Sequence, residues 1–179
     1  VYTYLIADQT SLSVSYDSIA DLTGIEDFIS LTNLNCNNNQ LTILNVSNNT
    51  ALTGLNCSEN QLTSLDVSNN TLIEYLDCTV NNLTTLDLSN NTIINHLYCG
   101  KNNLTTLDLS NNTVFIWEIQ CQDNQLTTLL VNDVEWLYCN NNQLTHLDFS
   151  NAYGITELEC QNNQLISLDL TNISWMHLK

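Results

Sequence analysis

The feature that most constrains this chain is the placement of its cysteines. They stand at Cys36, Cys57, Cys78, Cys99, Cys121, Cys139 and Cys160, separated by 21, 21, 21, 22, 18 and 21 residues. Three residues after each comes an asparagine: Asn39, Asn60, Asn81, Asn102, Asn124, Asn142 and Asn163. Two residues before each is Leu or Ile, and five residues after each is Leu, so a unit reads LxxLxCxxNxL. The second half of a unit repeats the idea, as in Leu62-Thr-Ser-Leu65-Asp-Val67-Ser-Asn-Asn70. A period of this size means one small structural unit per repeat, each unable to bury its apolar face alone, stacked on its neighbours.

Alternation in Leu-x-Cys and Leu-x-Val puts two side chains inside and one outside, which is strand logic. Stacked one rung apart, about 4.8 Å, such strands form parallel ladders. The absence of Asn-Gly and Asp-Gly hairpin signals agrees with parallel pairing. The chain has no proline, so asparagine makes the turns: it tolerates left-handed backbone and bonds its own main chain. The asparagine three after each Cys is expected to point inward and pair with turn N–H and C=O groups of adjacent coils. Units such as Leu55-Asn-Cys57-Ser-Glu-Asn60-Gln-Leu62-Thr-Ser-Leu65-Asp-Val67-Ser-Asn-Asn-Thr71 resemble the leucine-rich repeat family, in its 21-residue type found in secreted and surface proteins of Bacteroidetes-type bacteria. The resemblance covers residues 19 to 179. It implies a repeat solenoid, a β-rich right-handed coil of short parallel strands with little or no helix.

Residues 1–18 read as a lead-in segment, with Leu12-Ser-Val14 resembling the Leu-Asp-Val half-unit, and 19–179 as an array of about eight coils. Ile19, Leu22, Ile25, Phe28 and Leu31 mark a degenerate first coil. One extra residue falls near Val114-Phe115-Ile116, and three are missing between Leu129-Leu130-Val131 and Val134-Glu135-Trp136-Leu137. The last coil reads as a copy of that short form, with Leu178 in the cysteine slot and no polar cap beyond it. It reads as part of a longer protein, or as a coil that a following domain covers.

Charge excludes several function classes. Two lysines, no arginine and nineteen Asp and Glu give a net charge of −17. Nucleic acid needs cationic side chains to displace counterions, so it is not an expected partner. No run approaches the ~20 apolar residues of a membrane span, so membrane insertion is not expected, and no cationic, apolar leader opens the chain. The cysteines occupy slots of inward aliphatics and read as reduced packing thiols. A linear column does not present the tetrahedron zinc requires. No cofactor is expected.

Outward residues separate two faces. On the cysteine strand, one column runs Asn33, Gly54, Tyr75, His96, Glu118, Trp136 and Glu157, continued by Trp175. The other runs Asn35, Asn56, Asp77, Tyr98, Gln120, Tyr138 and Glu159, continued by His177. The second strand is monotonous: Asn45, Asp66, Asp87, Asp108, Leu130, Asp148, Asp169. Scaffold positions repeat, whereas recognition surfaces are individual. The candidate binding face is therefore the cysteine-strand face, through Tyr75, His96, Tyr98, Glu118, Trp136, Tyr138, Trp175 and His177. Aromatic rings there offer flat apolar area to a protein or a glycan. Asp66, Asp87 and Asp108 form a ladder whose alternative reading is calcium and whose preferred reading is a solvated acidic face. No catalytic motif appears, so no enzyme is expected. The function read from the sequence is an extracellular or cell-surface recognition or adhesion module. The alternatives are a spacer or filament that associates through its solenoid ends, and ice binding through a threonine column.

Overall fold

In the computed structural model, which describes residues 6–149, 154–171, 173 and 177–178, the repeats stack as one parallel β-solenoid. Among the described residues eleven short strands form: β1 (Ser11–Ser13), β2 (Asn33–Asn35), β3 (Gly54–Asn56), β4 (Tyr75–Asp77), β5 (His96–Tyr98), β6 (Thr106–Asp108), β7 (Ile116–Gln120), β8 (Thr128–Leu130), β9 (Val134–Tyr138), β10 (Glu157–Glu159) and β11 (His177–Leu178). Nine of them make one sheet in the order β1-β2-β3-β4-β5-β7-β9-β10-β11, one strand per coil. A three-residue 3-10 turn at Ile25–Asp27 lies in the first coil.

The register keeps equal repeat positions in line. Leu12, Leu34, Leu55, Leu76, Leu97, Ile119, Leu137, Leu158 and Leu178 pair in succession. This line departs from the sequence reading at both ends. Leu12-Ser-Val14 is a cysteine-type half-unit, not a Leu-Asp-Val one: the Val14 N–H donates to Asn35 O at 2.8 Å, as the Cys36 N–H donates to Asn56 O at 2.8 Å. The ladder thus begins within the first 18 residues. At the other end Leu178 pairs with Leu158 and His177 with Glu157, so Leu178 is not in the cysteine slot and His177 lies in the Trp136 column. The last coil closes one residue short of 21, not three, and the register moves accordingly.

The core is built from columns of buried Leu, Ile and Val with the cysteines among them. All seven thiols are buried and unbridged. Burial, then the neighbouring thiols, push those of Cys57 and Cys78 well above the ordinary range, and burial alone takes Cys36 up to about 12.

Beside the thiols runs a ladder of asparagines. The Asn81 amide donates to Cys57 O, Cys78 O and Thr79 O, and its Oδ1 accepts the Leu62 N–H at 2.9 Å. Asn60, Asn102, Asn124 and Asn142 repeat the arrangement coil by coil. Each amide therefore bonds two coils together, sharing their carbonyls with its neighbours in the ladder, and its oxygen gives a buried leucine N–H its acceptor. A second asparagine column, Asn49, Asn70 and Asn91, lies on the far side of the core. Its amides donate to carbonyls of the preceding coil, as Asn70 does to Val46 O and Asn49 O, both at 2.9 Å.

The second outward strand is mostly not a strand. Among the described residues only β6 and β8 pair there, with one isolated bridge between Asn45 and Asp66. Asp66, Asp87, Asp108 and Asp169 each accept the N–H two residues on and so close the turn that follows. The same bond at Asn35, Asn56 and Asp77 ends paired strands, so it does not by itself prevent pairing.

Left-handed backbone falls two residues after each cysteine, at Asn38, Glu59, Val80, Lys101, Asp123, Asn141 and Asn162, with φ between 52 and 57. Only Val80 is β-branched there, and a branched Cβ crowds the carbonyl in this conformation. Replacing Val80 with Asn should raise stability by about 1 kcal/mol. A urea melt checks this, and an unchanged or lower midpoint contradicts it.

Candidate functional site

The outward face of the nine-strand sheet divides into two halves. Toward the N-terminus it is small and polar: Ser11, Ser13, Asn33, Asn35, Gly54 and Asn56 edge a shallow depression that ends at Tyr75. Several of these residues serve the scaffold. Asn35, Asn56 and Asp77 each cap the N–H two residues on, and the Asn56 and Asp77 side chains also accept the hydroxyls of Ser58 and Thr79. Gly54 lacks room for a Cβ, which would lie 2.7 Å from Asn33 Nδ2.

From β4 onward the face becomes aromatic and acidic. Tyr75, His96 and Tyr98 cluster with ring centroids 5.5 to 6.5 Å apart. The Tyr98 hydroxyl donates to Glu118 Oε2 at 2.7 Å, and Gln120 Nε2 donates to Glu118 Oε1 at 2.7 Å. His96 Nδ1 is 2.7 Å from Asn95 Oδ1. Trp136 Nε1 donates to Thr156 Oγ1 at 3.1 Å. Burial, and then the bond to Glu118, hold the Tyr98 phenol well above its usual range. Burial and the Glu157 carboxylate also raise the Tyr138 phenol. Both phenols therefore stay protonated and donating, and rings and carboxylates form one pre-set surface.

The structure brings Tyr75, His96, Tyr98 and Glu118 into direct contact, and β9 adds Trp136 and Tyr138 opposite Glu118 and Gln120. The backbone of His177 extends the face at β11, while Trp175 lies outside the described residues. Asp66, Asp87 and Asp108 sit on the other side, and their turn bonds hold each carboxyl below its ordinary range. Among the described residues no group of three or more His, Cys, Asp or Glu is placed to share a metal ion.

Sequence reasoning missed Phe115 and Trp117. The structure puts both rings on the surface, edge to face, 5.2 Å apart. The signal was the irregular spacing: the 22-residue and 18-residue steps flank the five-residue strands β7 and β9. The inserted residue, between Asn112 and Ile116, leaves Val114 and Phe115 outside the core.

A stack of ~21-residue coils with an asparagine ladder and a nine-strand parallel sheet defines a class, the leucine-rich solenoids. The chain is a leucine-rich repeat protein, and solved structures of that kind match it over nearly its full length. The functional domain of InlJ from Listeria monocytogenes, described as including a cysteine ladder, is 35% identical over 97% of this chain with a TM-score of 0.73. This chain spans 45% of that one, less than half its length. Internalin C2 from Listeria monocytogenes is 21% identical, covers 100% of this chain and 84% of its own, and has a TM-score of 0.83. A chain of the LRIM1/APL1C complex is 22% identical over 91% of this chain and 33% of its own, with a TM-score of 0.72. No protein-family model matches the sequence, and no curated protein does. Among the described residues no helix is long and apolar enough to cross a membrane.

Proposed function

We propose that this chain is a non-catalytic recognition module of a secreted or surface-attached bacterial protein, and that it engages a protein partner through the outward face of β4, β5, β7 and β9. The observation that carries this reading is the contrast between faces. On one side the repeat positions are uniform and their carboxylates are committed to turns. On the other, Tyr75, His96, Glu118 and Trp136 follow one another in one column, and they join with Tyr98 and Tyr138 across coils into one aromatic and acidic cluster. Large amphipathic rings held by packing and hydrogen bonds lose little freedom on binding, which is what an interface centre needs. The likeness to InlJ and internalin C2 agrees with such a role.

The test is selection of binders from a displayed protein library, mapped with surface variants. Trp136→Ala and Tyr138→Ala should each weaken selected binders at least tenfold, and Asp87→Asn should leave them within twofold. Binders that are insensitive to the first two variants, or a chain that yields no binder and assembles into regular fibres, would overturn the proposal.

A further inference from the structure

We propose that the outer corner of β7 and β9 is a cradle for Lys and Arg side chains, and that its occupant is an extended basic segment of a partner protein. This rests on the recognition reading above and adds the chemistry of the partner.

These two strands are five residues long where the other strands of the sheet have two or three. In both, two consecutive residues face out between inward ones. Trp117 and Glu118 stand between Ile116 and Ile119, and Glu135 and Trp136 between Val134 and Leu137. Ile116 pairs with Val134 and Glu118 with Trp136. Trp117 is therefore beside Glu135, and Glu118 beside Trp136. Indole and carboxylate alternate along each strand and across the pair. Phe115 extends the corner, with its ring edge to face against Trp117. That ring rests over Gly154, where a Cβ would lie 2.6 Å from it, and the Gly154 N–H donates to Asp133 Oδ1 at 2.8 Å.

Exposure and charge give the occupant. Trp117 is 51% exposed, Trp136 41% and Phe115 36%, all within adjacent coils. Exposed aromatic area of this kind marks a contact site. Glu118, Glu135 and Asp133 surround it, and the one Lys or Arg among the described residues, Lys101, lies beyond the other end of the strands. An anionic partner is repelled, and a neutral apolar one would strip water from the carboxylates without replacing it. A Lys or Arg side chain satisfies both parts: its aliphatic stem covers the indole, and its cationic head sits over the ring and against a carboxylate. The alternation across two coils fits a segment that presents several such side chains in extended form.

The experiment titrates the chain with a fluorescein-labelled decapeptide of alternating Arg and Ser, and with the same peptide carrying citrulline for Arg. Citrulline keeps the shape and removes the charge. The Arg peptide should bind, the citrulline peptide at least tenfold more weakly, and Trp117→Ala should weaken the Arg peptide about tenfold. Glu135→Gln should weaken it severalfold, and this variant keeps the test valid if Trp117→Ala lowers stability. Asp87→Asn, on the opposite face, should leave it within twofold. Equal losses for Glu135→Gln and Asp87→Asn would mean diffuse attraction to an acidic molecule and would overturn the inference. So would library-selected binders that need Trp136 and Tyr138 but carry no basic segment and ignore Trp117, a result that leaves the recognition reading standing.

Discussion

Raising the pH from 8 to 10 should cost this chain most of its stability. Each deeply buried thiol has a folded pKa raised above the unfolded one, because burial disfavours the thiolate. Below the ordinary thiol range both states hold the proton, and the stabilisation is fully present. As pH rises through that range the unfolded chain releases protons that the folded chain keeps, so stability falls. At pH 10 the expected loss is about 1.4 kcal/mol per thiol, taking an unfolded pKa near 9. Cys36, Cys57, Cys78, Cys99, Cys121 and Cys139 share the raised pKa. Across that column the loss rivals the ~5–15 kcal/mol that holds an ordinary domain together. Urea melts under argon with a reductant give the measurement. Valine already fills the equivalent slot at Val14, so Cys78→Val with Cys99→Val is a packing-compatible control that should fall less steeply. Stability that stays flat to pH 10 would contradict the buried column. On the acid side the turn carboxylates Asp66, Asp87, Asp108 and Asp169 have lowered folded pKa values, so their contribution is present above the ordinary carboxylate range and is lost as pH falls below it.

The second large effect lies in the asparagine ladder. Asn81→Ala removes four hydrogen bonds, yet they are not equivalent. Cys57 O still accepts from Asn60, and Cys78 O still accepts from Asn102. Thr79 O still accepts the Glu59 N–H at 2.8 Å, but the Leu62 N–H loses the side-chain oxygen that satisfied it inside the core. One orphaned buried group costs about 1–3 kcal/mol. Asn81→Asp should be worse than Ala: it keeps an acceptor for Leu62 but turns a carboxylate oxygen toward three carbonyls that had been accepting. Denaturant midpoints of the two variants rank them, and Asp equal to wild type would show that the amide does not face those carbonyls.

Much of the fold was legible because position in the repeat maps directly onto position in space. The step arithmetic of the cysteines placed Tyr75, His96, Tyr98, Glu118, Trp136 and Tyr138 on one face before any coordinate. What escaped lay in how closely each line of repeat positions pairs. The aspartate column looks like a strand by alternation, yet among the described residues only β6 and β8 pair there, with one isolated bridge between Asn45 and Asp66. Asn49, Asn70 and Asn91 recur as regularly as the asparagines after the cysteines, and nothing in the spacing alone says that their amides reach back to the preceding coil. The last coil was misaligned because its strand was placed by counting forward 18 residues, while the ladder aligned Leu178 with Leu158. Trp117 was overlooked because it falls one position outside the strict alternation, at the point where β7 exposes two residues in a row.

Sulfur-anomalous diffraction from crystals of this chain tests the stacking most directly. In-register coils require the seven thiol sulfurs to lie in single file, successive peaks about one rung, ~4.8 Å, apart. Sulfur pairs at the ~2 Å of a disulfide, or peaks scattered over the surface, would contradict it.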